Sequence, residues 1–372
     1  MLMKERNSVI LILFILTMFA FFVMLQPAEA SDPASVITVE QLEPILGTPG
    51  LVIIDVRSPE EYGDGHIAGA INVQMAEYAD QNNPIAVMAA TPEQMEAMLG
   101  SKGVGNESRI VIYDDQGASA TRLWWVLYMY GHPDVKILDG GIEKWQAAGK
   151  PMTTVAPLVQ AAQYKIDRSR INKGAVASTE EVLAAVENKS ALLVDVRSSD
   201  EFNGKILKQG AFRKGHIPGS IWLEWTKNQN PDRTFKSIPE LKKMYEGEGI
   251  TDCKKIIVYC QTGTRSSYTY FVLTQLLGYP DVQNYDASWI GWSKDESLPA
   301  QVGYSVLKIG SRFYTEGGSE REMDVIPYLK DGRAFVPVLY LASMLDIVSE
   351  DIKWDPAGKA VTLVKAVYAQ PT

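Results

Sequence analysis

Short apolar runs ending on an acidic residue or a small-residue loop recur along the chain in matching pairs: "LVIID" from Leu51 with "ALLVD" from Ala191, "RIVIYD" from Arg109 with "KIIVYC" from Lys255, and "VKILD" from Val135 with "VQNYD" from Val282. Runs this short, mostly apolar at consecutive positions, are the pattern of strands buried on both faces. Between them lie helical segments, such as Thr121 to Tyr130 and Ser266 to Leu277, stopped by Gly131 and Gly278. Strands alternating with helices predict an α/β fold, a parallel sheet with helices on both faces. In such sheets ligands bind beyond the carboxyl ends of the strands. Cys260 stands at such an end.

The pairing extends well beyond the strands. "LVIIDVRSPEEYGDGHIAGAINV" from Leu51 returns as "LLVDVRSSDEFNG", which continues after an insertion as "RKGHIPGSIWL". "RIVIYDDQGASATRLWWVLYMYGHPDVKILDGGIEKW" aligns with "KIIVYCQTGTRSSYTYFVLTQLLGYPDVQNYDASWIGW". The chain therefore holds two copies of one unit, about residues 36–150 and 175–300, joined by a linker over 151–174 whose start is rich in proline and small residues. From about residue 304 to 372 the character changes to short strands around one helical stretch, Leu339 to Leu345, which predicts a third, small α+β domain.

The first thirty residues are of another kind. Lys4 and Arg6 precede an apolar run from Val9 to Leu25, and Ala28-Glu29-Ala30 offers the small residues that a signal peptidase reads. Residues 1–30 are expected to be a signal peptide cleaved after Ala30, with an uncleaved N-terminal anchor as the alternative because the run approaches the roughly 18 to 20 residues that span a bilayer. Either way the rest of the chain is expected outside the cytoplasm, extracellular or at the cell surface.

A chain of 372 residues, 46% hydrophobic and 22% charged, is globular and long enough for two or three domains at about 150 residues each. Its formal net charge of −9 provides no basic surface, which argues against nucleic-acid partners. Exported proteins tend to pair their cysteines, and this chain has 2, Cys253 and Cys260. The residues between them read as a strand, and seven steps at about 3.3 Å set the α-carbons about 20 Å apart. A disulfide needs less than about 7 Å, so Cys260 is expected to be a free thiol.

Whether that thiol is structural or reactive turns on its neighbours in the chain. Buried cysteines are commonly small hydrophobes at strand ends. Here, however, Gln261-Thr262-Gly263-Thr264-Arg265 forms a short loop leading into a helix, whose amides and helix N-terminus can curl toward the sulfur and favour the thiolate. Gly263 permits the positive φ that closes the curl, and Arg265 can add a cation able to bind an oxyanion bidentately. The 3 histidines do not suggest a cysteine–histidine pair, because His66 and His216 occupy matching "GHI" turns where a structural role is expected. No cysteine or histidine spacing suggests a metal site, and no cofactor is implied. Cysteine phosphatases use a similar cradle with one more residue between Cys and Arg. The shorter loop here suits one sulfur atom better than a tetrahedral phosphate.

The tandem units, the paired "DVR" and "GHI-x-G" turns, the "CQTGTRS" loop and "YDASWIGW" resemble the two-domain rhodanese family, the thiosulfate sulfurtransferases. That resemblance implies two rhodanese-like domains with the active site in the second. It also implies that Cys260 takes the outer sulfur of a donor such as thiosulfate, holds it as a persulfide cradled by Gln261, Thr262, Gly263, Thr264 and Arg265, and passes it to cyanide or a thiol. Arg197 in "DVR" is similar to the family arginine that reaches the donor's anionic end; the alternative is a salt bridge to Asp195 or Asp200. In the first copy Asp114 falls at the Cys260 position and Ser119 at the Arg265 position, so that copy is expected to be inactive. Ala287 and Gly291 depart from the family's usual "DGSW-x-E-W". Arg265 favours thiosulfate over 3-mercaptopyruvate, the alternative donor, and a non-enzymatic surface-binding role is the rival of a different class. The stretch with "DGRAFVP" and "IKWDPAGKAVTL" is similar to the copper amine oxidase N-terminal-like domain; lacking His and Cys, it implies no copper and is read as a module for a cell-surface partner.

Overall fold

The computed structural model describes residues 34–303, 305–307, 309–316, 319–344, 352–355 and 360–363. The expected signal or anchor segment, residues 1–30, lies outside them. Among the described residues no helix is long and apolar enough to cross a membrane.

Each copy of the repeat forms a parallel sheet. The first has five strands, in the order Val36–Ile37, Val135–Leu138, Arg109–Tyr113, Leu51–Asp55 and Ala70–Asn72. The second has four, in the order Val282–Asn284, Ile256–Tyr259, Leu192–Asp195 and Ile221–Trp222, and a parallel bridge from Val176 to Asn284 stands where the first sheet has its Val36–Ile37 edge. Ile256–Tyr259 is central and buried along its whole length, as its unbroken apolar run requires. It starts later than the expected Lys254 because Lys254 remains exposed. Capping boxes start the helices on both sides, for example Thr91 with Gln94, Ser178 with Glu181 and Ser198 with Glu201.

Helices Ala118–Met129 and Thr264–Phe271 begin directly after Gly117 and Gly263, both left-handed, and so a little before the starts expected from periodicity. The second continues as a π-helical turn over Val272–Leu276. The two pack on each other, with Trp124 edge-on to Phe271 at a centroid separation of 4.7 Å, and one apolar cluster runs from Ile54 through Trp124 to Val194 and Tyr268. The halves thus share a core, and the loops ahead of these helices face one interface.

Beyond residue 303 the structure is antiparallel. Strands Ser305–Leu307, Phe313–Glu316 and Ser319–Glu322 form a meander, Tyr328–Lys330 pairs with Arg333–Phe335, and Ile352–Asp355 with Ala360–Leu363. The helix expected over Leu339 to Leu345 occupies Val338–Met344, and Leu345 lies outside the described residues.

Candidate active site

Cys260 leaves the central strand at its carboxyl end and is fully buried. Both cysteines are free, Cys253 on the surface and Cys260 inside. The turn after Cys260 is shorter than expected, Gln261 to Gly263, with Thr264 and Arg265 already in the helix: Gly263 takes φ +79° and caps the helix, Gln261 is buried, and Thr262, Thr264 and Arg265 are partly exposed at the rim. The amides of Thr262 and Ser266 are directed at the sulfur, and the Ser266 hydroxyl donates to Sγ at 3.6 Å. Burial opposes ionisation of the thiol. The charge of Arg265, the Ser266 hydroxyl and these amides outweigh it, so the thiol is more acidic than an ordinary cysteine.

Arg265 does not present its fork to open space. Nη1 donates to Glu201 Oε2 at 2.7 Å and Nη2 to Oε1 at 2.8 Å, with the Glu201 side chain 3% exposed. Burial alone would raise the Glu201 carboxyl, but the bonds and charge of Arg265 hold it down to about 2.

In the first copy the same turn is closed by its own side chain. Asp114 is buried, and its carboxylate accepts the amides of Gly117, Ser119 at 2.9 Å and Ala120 at 3.1 Å. Ser119 and Ala120 correspond to Arg265 and Ser266. The turn is therefore an anion receptor in both copies: Asp114 fills one, and the other is directed at a cysteine sulfur. A carboxylate cannot carry sulfane sulfur.

Arg197 lies inside the protein, not at the rim. Nε and Nη2 donate to both oxygens of Asp195, the shortest at 2.6 Å, and Nη2 also to the Gly215 carbonyl at 2.7 Å. Its guanidinium lies 4.9 Å from the Trp289 ring centre and 5.8 Å from that of Tyr259. In the copy without a cysteine, Arg57 does the same with Asp55 and the Gly65 carbonyl. Of the two salt bridges drawn from the sequence the structure has the one to Asp195, and the same arrangement recurs in both copies. The histidines obey the same logic: His66 Nδ1 meets the Tyr62 carbonyl and His216 Nδ1 the Phe202 carbonyl, each at 2.8 Å, and each ring stacks on the neighbouring aromatic.

Several residues that support the loop were not singled out from the sequence. Ser288, at φ +49°, accepts the Cys260 amide on Oγ at 3.1 Å and donates to the Tyr285 carbonyl. The amides of Trp289 and Ile290 bond the carbonyls of Cys260 and Gln261, and Asn284 and Ser267 bond the Gly263 carbonyl. Arg122 and Asp286 form a buried ion pair between the halves at 2.6 Å. Glu201 carried a usable signal as the last residue of "SSDE", a capping-box pattern. Arg122 and Asp286 carried none, because their pairing depends on how the halves dock. The departures at Ala287 and Gly291 compensate each other, since a Cβ at 291 would lie 2.6 Å from that of Ala287. Trp289 and Trp292 remain buried, with their indole N–H groups on the carbonyls of Arg213 and Pro299.

The rhodanese-like domain matches the chain twice, over residues 38–148 and 178–295, and the copper amine oxidase N-terminal domain matches residues 285–366. A sulfur carrier protein of Thermus thermophilus is 35% identical over 290 residues, covering 73% of this chain and 98% of that protein. A thiosulfate sulfurtransferase of Corynebacterium glutamicum is 32% identical over 284 residues, covering 74% and 93%. Among solved structures, the 3-mercaptopyruvate sulfotransferase SseA of Escherichia coli superposes with a TM-score of 0.62 at 28% identity, covering 69% of this chain and 99% of that one.

Proposed function

The chain belongs to the rhodanese family, and from that premise we propose that it is an exported thiosulfate sulfurtransferase working through a persulfide on Cys260. The observation that carries this reading is the contrast between two copies of one anion-binding turn, one closed by Asp114 and the other directed at an acidified thiol. Cys260 attacks as thiolate on the outer sulfur of thiosulfate. A new sulfur–sulfur bond forms, the bond from the outer sulfur to the sulfonate sulfur breaks, and its electron pair leaves on sulfite. The negative persulfide then rests among the amides of Thr262 and Ser266 and the charge of Arg265. Cyanide or a thiolate attacks the outer sulfur and returns Cys260 as thiolate, giving thiocyanate or a new persulfide.

Thiosulfate is favoured over 3-mercaptopyruvate because the segment after Cys260 keeps an arginine, Arg265, whose charge acts on the thiol although its fork is taken by Glu201. The sequence of residues 1–30 supports export, and the C-terminal domain is assigned to a cell-surface partner. The test is mass spectrometry of the intact protein after thiosulfate treatment, together with sulfite release in the presence of cyanide. Wild type should gain about 32 Da, one sulfur atom, while Cys260→Ser should gain nothing and release no sulfite. Activity surviving that substitution would sink the proposal, and sulfur loading from mercaptopyruvate but not thiosulfate would move the enzyme to the second donor.

A further inference from the structure

The loop turns on a residue that neither contacts the sulfur nor belongs to the turn. Arg265 is the second residue of the helix Thr264–Phe271, where the helix dipole repels a cation and a long side chain would turn outward to water. It does not do so, because both of its terminal nitrogens are bonded to Glu201, whose side chain is 3% exposed against 17% for that of Arg265. Glu201 is itself fixed. It is the glutamate of the capping box on the short helix Ser199–Phe202, and its Oε2 accepts the Ser198 amide at 3.3 Å and the Ser198 hydroxyl at 3.0 Å.

The first copy of the repeat supplies the comparison. Glu61 is the same capping-box residue, with Oε2 on the amide and hydroxyl of Ser58 at 3.0 and 2.7 Å, yet it is exposed. The position opposite, which is Arg265 in the second copy, is Ser119 in the first. A helix cap common to both copies has thus acquired a second task in the copy that carries the cysteine.

We propose that Glu201 is a positioning residue for Cys260: its capped, buried carboxylate holds the Arg265 guanidinium where its charge falls on the sulfur, and occupies the fork that would otherwise chelate an incoming oxyanion. This rests on the reading of Cys260 as the sulfur-carrying thiol. Other charges act on the same pair. Arg197 and Lys208 favour the Glu201 carboxylate, Asp195 favours the Arg265 cation, and Glu224, with Lys227 beside it, faces Arg265 from the adjoining segment.

Charge and placement give opposite signs, which makes the proposal testable. Were Glu201 merely a negative charge near the sulfur, its removal would make the thiol more acidic. Were it the anchor of Arg265, its removal would make the thiol less acidic. The experiment is the pH dependence of Cys260 alkylation by iodoacetamide in the full chain, with the exposed Cys253 replaced by alanine. Glu201→Gln keeps the capping box, since glutamine serves at that position as well, and loses the charge. It should raise the alkylation midpoint by about one pH unit, a roughly tenfold slower reaction below the midpoint. Glu201→Asp should restore part of the shift. Ser198→Ala, which removes the capping hydroxyl but leaves the ion pair and the bond from the Ser198 amide, should shift the midpoint far less than Glu201→Gln. In an Arg265→Met background the Glu201→Gln change should no longer raise the midpoint.

A midpoint that falls or stays put in Glu201→Gln overturns the proposal, as does an equal shift in Ser198→Ala or a further rise in the Arg265→Met background. Alkylation reads the thiol without any donor. A protein that shows the Glu201 effect but never loads sulfur from thiosulfate therefore refutes the proposed reaction and leaves the role of Glu201 standing.

Discussion

Arg122 of the first half and Asp286 of the second meet in an ion pair of 2.6 Å, with side chains 1% and 4% exposed. The pair also ties down the segment around Val87, because Arg122 Nη2 donates to the Val87 carbonyl and the Ala89 amide donates to Asp286. It is the floor on which the Cys260 loop rests: a Cβ added at Gly263 would come within 2.6 Å of Asp286 Oδ1 and 3.0 Å of Arg122 Nη1. The copy without a cysteine thus supplies part of the support for the copy with one.

Removing one member leaves the other charged and buried. Arg122→Met should destabilise the protein by about 3–5 kcal/mol, measured as a lower urea midpoint with an unchanged slope. Sulfur loading per folded molecule should also fall, because the floor of the loop is lost although no residue of the loop has changed. Unaltered loading in the folded fraction would show that the pair serves stability alone.

Ser266 is the one hydroxyl that reaches the sulfur, among the described residues, and it sits where the first copy has Ala120. Its hydrogen bond favours the thiolate, so Ser266→Ala should make Cys260 less acidic, against a background in which burial already opposes ionisation. The rate of persulfide formation, measured as sulfite release across pH, should fall off at a higher pH in the variant than in wild type. Above both midpoints the two proteins should converge, since the thiolate is then fully formed in each.

Asp114 supplies a stability signature of its own. Burial raises its carboxyl to about 6 despite three amide donors, whereas an unstructured aspartate has a value near 3.8. The folded state therefore holds a proton that the unfolded chain releases. This contribution is fully present below about 4 and is lost as pH rises through about 6, up to about 3 kcal/mol in total at about 1.4 kcal/mol per unit. Asp139 is raised to about 6 as well, again by burial, and acts in the same window. The measurement is thus a difference: urea midpoints of wild type minus Asp114→Asn between pH 4 and 7 should decline with pH. A flat difference would mean that the amides, and not burial, set the acidity of Asp114.

The sequence made legible what is local and what is repeated. The central strands show as unbroken apolar runs, the turn after Cys260 as Gly263 between small residues, and Asp114 through the alignment of the copies. The salt bridge of Arg197 stood in the sequence only as an alternative to contact with the donor, although "DVR" occurs in both halves. Side-chain contacts between distant elements could not be read. Nothing in the order of residues pairs Arg122 with Asp286, or shows that the expected oxyanion fork of Arg265 is taken by Glu201. Such contacts depend on side-chain reach across a docked interface and on a helix cap turned to a second use. The short edge strands Ala70–Asn72 and Ile221–Trp222 were also illegible, since two or three residues carry no periodicity.

The two capping glycines offer a last, paired test. Gly117 and Gly263 both take positive φ, at +93° and +79°, and each leaves no room for a methyl group: a Cβ would lie 2.6 Å from the Tyr268 ring at one and 2.6 Å from Asp286 Oδ1 at the other. Alanine at either site faces about 1–2 kcal/mol for the left-handed backbone, with the steric contact in addition. Gly117→Ala and Gly263→Ala should therefore both lower the thermal midpoint. Their effects on chemistry should separate. Gly263→Ala opens the turn that directs the amides of Thr262 and Ser266 at the sulfur, so sulfur loading in the folded fraction should fall together with stability. Gly117→Ala disturbs a turn that holds a carboxylate, and its folded fraction should load sulfur at close to the wild-type rate. Equal losses of loading at both sites would mean that the interface, and not the turn around Cys260, limits the reaction.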